Sequence, residues 1–164
     1  MKKLLIAALA MLMLSGAWAS TPVKGKVVEV IDGNTFKVKG EDNETRNIVL
    51  VGIDSPELGQ AYGREAKRFL EKLILGRKVV IYFGGDDANE SPLIEVKILG
   101  VKDPRIDMLR EGLAWTTGEN PPYYLEQHRE TAQLRGRGLW QQSNPTPPWV
   151  YREEQRRLAK RETI

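Results

Sequence analysis

Residues 23–52 have the sequence VKGKVVEVIDGNTFKVKGEDNETRNIVLVG, in which three apolar segments are separated by two turns. Within 23–31 and 35–39, apolar residues are interleaved with lysine or glutamate, a pattern typical of strands with one buried face. The segment 46–52 becomes almost wholly apolar, which predicts a strand buried on both sides. Because residues 32–34 are good turn formers, the stretch predicts an antiparallel three-stranded meander.

Further elements follow the meander along the chain. Apolar residues at helical spacing predict a helix over residues 62–76, and later helices begin at Pro104 and Tyr124. The segments 78–83 and 93–99 predict two more strands. Five strands with a helix after the third predict an α+β fold, namely a closed five-stranded barrel of the oligonucleotide/oligosaccharide-binding (OB) kind with three helices. An ordinary α+β sandwich would give a similar pattern.

The N-terminus has the features of a secretory signal peptide. The basic start Met1-Lys2-Lys3 precedes an apolar run from Leu4 to Leu14, and Ala17-Trp18-Ala19 is a cleavage signal of the Ala-x-Ala type. The run is too short to span a bilayer, which needs about 20 apolar residues, so no membrane anchor is predicted. We expect residues 1–19 to be removed and the remaining chain to be secreted or periplasmic.

Composition excludes several classes of protein. The chain has no cysteine, so disulfides, metal thiolates and a thiol nucleophile are excluded. The net charge of +3 includes Lys2 and Lys3, so the overall charge says little about partners. One domain is predicted over residues 20–149, followed by a charged tail over 150–164 that is partly disordered or loosely helical. Four arginines of this tail are candidates for nucleic-acid contact, although a solvated helix face explains them equally well: Arg152, Arg156, Arg157 and Arg161.

Five short motifs, in the same order, resemble those of the staphylococcal nuclease (thermonuclease) family. They are Ile31-Asp32-Gly33-Asn34-Thr35-Phe36, Leu50-Val51-Gly52-Ile53-Asp54-Ser55-Pro56-Glu57, Tyr62-Gly63-Arg64-Glu65-Ala66, Leu109-Arg110-Glu111-Gly112-Leu113-Ala114 and Gly138-Leu139-Trp140. The resemblance covers nearly all of the chain after the signal peptide. It implies the five-stranded barrel with three helices and favours it over the sandwich.

The resemblance also implies a chemistry for hydrolysing nucleic-acid phosphodiesters: a calcium ion held by two aspartates and a backbone carbonyl, a glutamate as general base, and two arginines that clamp the phosphate. Asp54 matches the second calcium aspartate, Ser55 the carbonyl ligand and Glu57 the general base. Asp32 matches the outer acid of the turn, but Asn34 replaces the inner acid, so calcium binding should be weak. From the residues alone, residues 32–34 are equally a simple turn, and the two later acids are equally capping or solvated loop residues.

Both phosphate-clamping arginines are missing from the positions that the resemblance gives them. The first belongs five residues before Asp54, where the chain has Val49. Arg46 lies an odd number of residues away and would point to the opposite face of the strand unless a bulge intervened. The second corresponds to Pro92, and the preceding loop over 84–91 is acidic where a phosphate would need basic groups.

We therefore predict a family member with lost or strongly reduced phosphodiesterase activity, because one lost charge-stabilising donor typically costs about 10²–10³ in rate. Such a protein would be a monomeric binding or structural module, and its ligand would be nucleic acid, a protein or an envelope glycan. The alternative is an active, calcium-dependent secreted endonuclease that recruits other basic groups, such as Lys97 or Arg105. The deciding feature is whether a guanidinium or ammonium group lies within phosphate reach of Asp54 and Glu57.

Overall fold

The computed structural model describes residues 22–83 and 93–162. The predicted signal peptide, the acidic loop over 84–91 and the clamp position Pro92 lie outside the described residues. Within the described ranges, no helix has both the length and the apolar character needed to cross a membrane.

The described residues form seven strands and four α-helices. The strands are β1 (Val23–Val30), β2 (Thr35–Gly40), β3 (Thr45–Val49), β4 (Ile53–Asp54), β5 (Lys78–Phe83), β6 (Leu93–Ile98) and β7 (Trp115–Thr116). The helices are α1 (Gly63–Ile74), α2 (Pro104–Arg110), α3 (Tyr123–Leu134) and α4 (Pro148–Glu162), and a short 3-10 helix covers Gly138–Gln141. The predicted strands and helices are present near their expected bounds, whereas the short strands β4 and β7 are additional.

The five longer strands form one antiparallel sheet in the order β3-β2-β1-β5-β6, which confirms the predicted meander and the α+β class. The sheet curls into a half-barrel, which agrees with the predicted OB-like fold. Among the described residues β3 and β6 are its two edge strands, and a cleft of about 400 Å³ is lined by residues of both edges. The register of β1 on β2 shifts between Val27 and Glu29, and such a bulge increases the local twist of the sheet.

The expectation that the third strand is buried on both sides is wrong. Ile48 of β3 is buried, but Val49 is 46% exposed and Val51, just beyond the strand, is 64% exposed. An edge strand of a half-barrel has only its inner face covered, because successive side chains point to opposite faces. The outward valines therefore remain in contact with solvent.

One hydrophobic core lies between the concave face of the sheet and the helices. In α1 the residues Ala66, Leu70 and Ile74, four apart, are fully buried and face the strands. The same core includes inward side chains of the sheet together with residues of α2 and α3: Val27, Phe36, Ile81, Met108, Leu109 and Leu125.

Two local features fix the loop over 55–62, which follows β4. Asp54 in β4 pairs opposite Trp115 in β7, so the end of the strand is held at a set position. At the other end of the loop, a Cβ atom on Gly63 would collide with the carbonyl of Glu57. The loop is therefore packed directly against the first turn of α1.

The predicted charged tail is helical. Helix α4 covers Pro148–Glu162, so the described residues form four α-helices where three were predicted, and residue 149 lies in the first turn of α4. Proline is well suited to a first helical position because its missing N–H would have no helical partner there. Residues 154–161 of α4 are exposed throughout.

Candidate functional site

Asp32, the first predicted site residue, lies in a turn whose backbone N–H groups are hydrogen-bonded by its own side chain. The Oδ1 atom of Asp32 accepts hydrogen bonds from the backbone N–H groups of Asn34 at 2.9 Å and Thr35 at 2.7 Å. This is the usual way in which an aspartate stabilises a turn between two strands. The geometry therefore supports the interpretation of Asp32 as a turn residue.

Asn34 connects this turn to the loop after β4. Its Oδ1 atom accepts a hydrogen bond of 3.1 Å from the backbone N–H of Ser55. Ser55 is 3% exposed, and its Oγ atom is buried without a hydrogen-bond partner among the described residues. Gly33 allows this close approach, because a Cβ there would meet the Ser55 side chain at 2.5 Å. The structure thus brings the side chain of Asn34 and the backbone N–H of Ser55 together.

Asp54 and Glu57 are joined by a guanidinium group from the far end of the chain. Nη2 of Arg152 donates to Oδ2 of Asp54 at 2.8 Å, and Nη1 lies 3.3 Å from Oδ1 of Asp54 and 2.7 Å from Oε1 of Glu57. The side chain of Asp54 is 14% exposed, that of Glu57 35% and that of Arg152 44%. The hydrogen bond to Asp54, and then that to Glu57, raises the pKa of Arg152. Arg152 was predicted as a nucleic-acid contact, but here its charge is matched by the two acids.

Gln60 holds the loop that carries Glu57. Its Oε1 accepts a hydrogen bond of 2.8 Å from the backbone N–H of Glu57, whose carbonyl in turn accepts a 2.8 Å bond from the N–H of Gln60. Its Nε2 donates to the carbonyl of Thr146 at 3.0 Å. Gln60 therefore links the loop over 55–62, which carries Glu57, to the segment that leads into α4. No local feature of the sequence predicts this role.

The two missing arginines are not replaced from β3. Val49 is half-exposed and pairs opposite Thr35. Arg46 pairs opposite Val38, with its Nη1 atom 2.8 Å from Oδ2 of Asp42, and the β2–β3 register contains no shift. Without a bulge Arg46 cannot take the position of Val49, as predicted.

The other basic groups that were considered have partners elsewhere. Arg105 holds Asp103 through Nε at 2.9 Å and Nη2 at 2.8 Å, and its Nη1 donates to the carbonyl of Val51 at 3.1 Å. Lys97 lies 3.3 Å from Glu95 and 4.9 Å from the centre of a tyrosine ring. We refer to Asp54 and Glu57 as the acid pair. Among these basic groups, the one that reaches the acid pair is the guanidinium of Arg152.

Calcium is coordinated by six to eight oxygen atoms, usually several of them from carboxylates. Within the described ranges, no group of three or more acidic or histidine side chains is arranged to hold a metal. The oxygens of Asp54 and Glu57 face Arg152, and that of Asn34 accepts from a backbone N–H. In this arrangement the residues do not fit a calcium ion.

A second charged region lies on the face of α2 and α3. Three exposed arginines, Arg110, Arg135 and Arg137, line a groove of about 280 Å³ together with Gln127 and His128. Nη1 of Arg137 donates to the backbone carbonyl of Arg110 at 3.1 Å, which holds the Arg137 side chain against the end of α2. Arg137 also lies 3.8 Å from Glu111, but no carboxylate lines the groove in the described part of the chain. We refer to these three residues as the arginine groove.

Two of the arginines in the outer half of α4 have an acidic partner on the same helix. Arg156 and Arg157 both pair with Glu153, at 2.7 and 3.2 Å. Arg161 is exposed. The predicted cluster of four tail arginines is therefore divided: one contacts the acid pair, two are paired along their own helix, and one is exposed near the end of α4.

The fold and the order of the motifs define a nuclease-type OB domain, and comparisons with known proteins identify its family. A family model of staphylococcal nuclease homologues matches residues 47–142. An uncharacterized endonuclease of Haemophilus influenzae is 31% identical over 133 residues, which cover 80% of this chain and 74% of the relative. An uncharacterized endonuclease of Escherichia coli is 33% identical over 131 residues, which cover 79% of this chain and 85% of the relative. A probable staphylococcal-like nuclease of Oryza sativa is 38% identical over 120 residues, which cover 66% of this chain and 29% of the relative. The chain belongs to the staphylococcal nuclease family.

Proposed function

We propose that this chain is a nucleic-acid-binding member of the staphylococcal nuclease family with strongly reduced phosphodiesterase activity. The observation that carries the proposal is the contact of Arg152 with both Asp54 and Glu57. A general base must be free to take a proton from water, and a metal ligand must be free to face the metal. With α4 docked, neither acid is free for these tasks.

The surroundings of the acid pair support the same proposal. Hydrolysis of a phosphodiester needs positive groups that stabilise the charge developing on the phosphoryl oxygens. Val49 stands at the position of one such group, and Asn34, which replaces a calcium aspartate, is engaged with the backbone of Ser55. Each missing stabilising group typically lowers the rate by about 10²–10³, so the residual activity should be very low.

Nucleic acid is the ligand that best suits the remaining charge. Binding to the phosphate backbone needs cations that are not matched by carboxylates of the same chain. The arginine groove meets this condition better than the tail does, because Arg152, Arg156 and Arg157 have acidic partners at 3.3 Å or less. We therefore assign backbone binding to the face of α2 and α3.

The alternative function is that of an active, calcium-dependent endonuclease. Two observations favour it: a guanidinium does lie within reach of Asp54 and Glu57, and the relatives from Haemophilus influenzae and Escherichia coli are named endonucleases. In that case Arg152 would have to leave the acids and contact the phosphate during the reaction.

Digestion of plasmid and single-stranded DNA and of RNA distinguishes the two functions. We expect purified protein to cleave poorly both with calcium and with chelator, while retaining salt-sensitive binding to the same nucleic acids. The matched variants are Glu57→Gln, at the site, and Glu41→Gln, at the exposed turn between β2 and β3. Rapid cleavage that requires calcium and is abolished by Glu57→Gln alone would contradict the proposal and establish the alternative.

We also propose that the protein is exported, on the basis of the apolar run from Leu4 to Leu14 and the motif Ala17-Trp18-Ala19. The expected mature N-terminus is Ser20. The intact mass of protein recovered from the periplasm or the medium checks this expectation. Recovery of the uncleaved chain in the membrane fraction would contradict it.

A further inference from the structure

Three lysines form a line across the outer face of the sheet. Lys26 of β1 pairs opposite Lys39 of β2 on one side and opposite Lys78 of β5 on the other. Side chains directly opposite one another in antiparallel strands point to the same face, with Cβ atoms about 4.5–5.5 Å apart. The three side chains therefore start from one line about 10 Å long. We refer to Lys26, Lys39 and Lys78 as the lysine row.

The lysine row faces solvent on the side of the sheet that is turned away from the helices. All three lysines are exposed, whereas the valines next to them in the chain, Val27, Val38 and Val79, are buried in the core. Successive side chains of a strand point to opposite faces, so the lysines point away from the core. Helices α2 and α3, which carry the arginine groove, pack on the other side of that core. The two basic surfaces therefore lie on different sides of the domain.

The charge of the lysine row is unmatched within the part of the chain that the structure describes. None of the three lysines forms an ion pair with a described residue. Two other lysines of the same sheet do have partners: Nζ of Lys37 lies 2.8 Å from Glu29, and that of Lys97 lies 3.3 Å from Glu95. Like charges directly opposite one another in a sheet are destabilising. An anionic partner that binds along the row would remove this repulsion.

The surroundings of the row favour a linear partner over a flat one. Three exposed acidic residues lie near it, namely Glu29 on β1, Glu41 just after β2 and Glu95 on β6. An anionic membrane surface would meet these carboxylates together with the lysines and would be repelled by them. A nucleic-acid backbone is a line of charges that can follow the row. Phosphates of one strand of duplex DNA succeed one another by about 3.4 Å along the helix axis, so a line of about 10 Å faces about three of them.

We propose that the lysine row is a second site for the nucleic-acid backbone, so that the domain holds one segment at the arginine groove and another at the row. The protein then bridges two duplexes, or two parts of one molecule. Each lysine that neutralises a phosphate releases a counterion, which makes the binding sensitive to salt. The inference rests on the proposed function in taking nucleic acid as the ligand, but the row and the groove share no residue.

A bead assay with the purified protein tests bridging directly. One duplex DNA is fixed to beads, the protein is added, and the capture of a second, labelled duplex of the same sequence is measured. Lys26→Gln with Lys39→Gln should lower this capture by at least about fivefold at moderate salt, because two phosphate contacts are lost. In a protein that already carries Arg110→Gln and Arg135→Gln, the same two lysine changes should lower the slope of log affinity against log salt by about two.

Lys37→Gln with Lys97→Gln is the matched control, since it removes the same charge from the same sheet at lysines that already have acidic partners. It should lower capture by less than about twofold. Thermal melting checks that the variants fold, and Lys26→Gln with Lys39→Gln should melt no lower than the unmodified protein because a repulsion is removed. Unchanged capture by this folded variant, or an equal loss in the control, would overturn the inference.

Two further outcomes separate the inference from the proposed function and from a membrane partner. Binding of one duplex without capture of a second would overturn the inference alone, whereas no binding of nucleic acid at all would refute the proposed function itself. Sedimentation with phosphatidylglycerol vesicles tests the membrane. If Lys26→Gln with Lys39→Gln abolished vesicle binding but left DNA capture unchanged, the row would belong to a membrane contact and the inference would be wrong.

Discussion

The acid pair and the arginine groove differ in how the chain matches their charges. Asp54 and Glu57 share one guanidinium at 2.7 to 3.3 Å, supplied from almost a hundred residues away. In the arginine groove, Arg110, Arg135 and Arg137 are exposed and line one groove, and Nη1 of Arg137 lies 3.8 Å from a carboxylate oxygen of Glu111. In the first region both carboxylates have a cationic partner within the chain, whereas the second region has positive charge available for a partner.

This difference separates two tasks that an active nuclease combines. Holding a nucleic acid requires available cations, which the groove has, whereas cutting it requires an available base and metal ligands. The proposed function gives these two roles to Glu57 and Asp54, and both contact Arg152. Changes that free or rebuild the acid pair should therefore alter cleavage, and changes in the groove should alter binding.

The largest expected effect comes from rebuilding the acid site. We expect Val49→Arg and Asn34→Asp together, in the Arg152→Gln background, to raise calcium-dependent cleavage by about 10²-fold or more, because a charge-stabilising donor is worth about 10²–10³ in rate. The 46% exposure of Val49 means that the new guanidinium need not be buried. Initial rates on single-stranded DNA, with calcium and with chelator, provide the measurement.

Val49→Gln in place of Val49→Arg is the matched control, since it introduces a polar side chain without the charge. Each single change should have little effect, because groups that act as a unit are strongly non-additive. If the rebuilt protein melts at a normal temperature but cleaves no faster than its Val49→Gln counterpart, the missing cation is not what limits activity.

The fold was largely predictable because its signals are local. The alternation of apolar and charged residues gives β1 and β2, and the four-residue spacing of Ala66, Leu70 and Ile74 gives α1. The same approach fails at β3, where an apolar run suggests burial on both sides but Val49 lies at the edge of the sheet. A run of apolar residues shows only that a strand is hydrophobic. Whether the strand lies at the edge or in the middle of the sheet depends on how the whole chain folds.

The site was predictable only in part for the same reason. The motifs directed attention to Asn34 and Ser55, which the structure brings into contact, and Arg46 is excluded by strand alternation alone. The role of Arg152 could not be derived, because it depends on where Pro148 begins α4 and on how Trp149 packs against Trp115. In a charged segment such as 150–164, the sequence gives the number of cations but not which of them have partners.

An intermediate effect is expected for nucleic-acid binding. Arg110→Gln with Arg135→Gln should weaken binding by about tenfold at moderate salt and lower the slope of log affinity against log salt by about two, one for each phosphate contact. Arg156→Gln with Arg157→Gln removes the same charge from α4, but both residues already pair with Glu153, so the loss should be less than about threefold. Fluorescence anisotropy over a range of salt concentrations measures both variants, and a larger loss in the α4 variant would move the binding surface to the tail.

The smallest expected effect concerns Asp107, which lies one turn before Arg110 on α2. Burial raises the pKa of Asp107; Asp103 and Glu111 act in the same direction, while Arg110 and His128 oppose it. Because the pKa is higher in the folded protein than the unfolded value of about 3.9, the stability that this shift contributes is complete below that value and is lost as pH rises through the folded pKa. Asp107→Asn should therefore be slightly more stable than the unmodified protein at pH 7, by less than about 1 kcal/mol because solvent screens most of the effect. It should also bind nucleic acid slightly more tightly, since a negative charge near the arginine groove is removed.

Thermal melting at pH 7 and at pH below about 3.9 is the measurement for Asp107→Asn. Its control is Glu41→Gln, which changes an exposed carboxylate on the turn after β2. A lower melting temperature of Asp107→Asn at pH 7 would mean that its attraction to Arg110 outweighs burial, and that even the groove is partly matched by charges of its own chain.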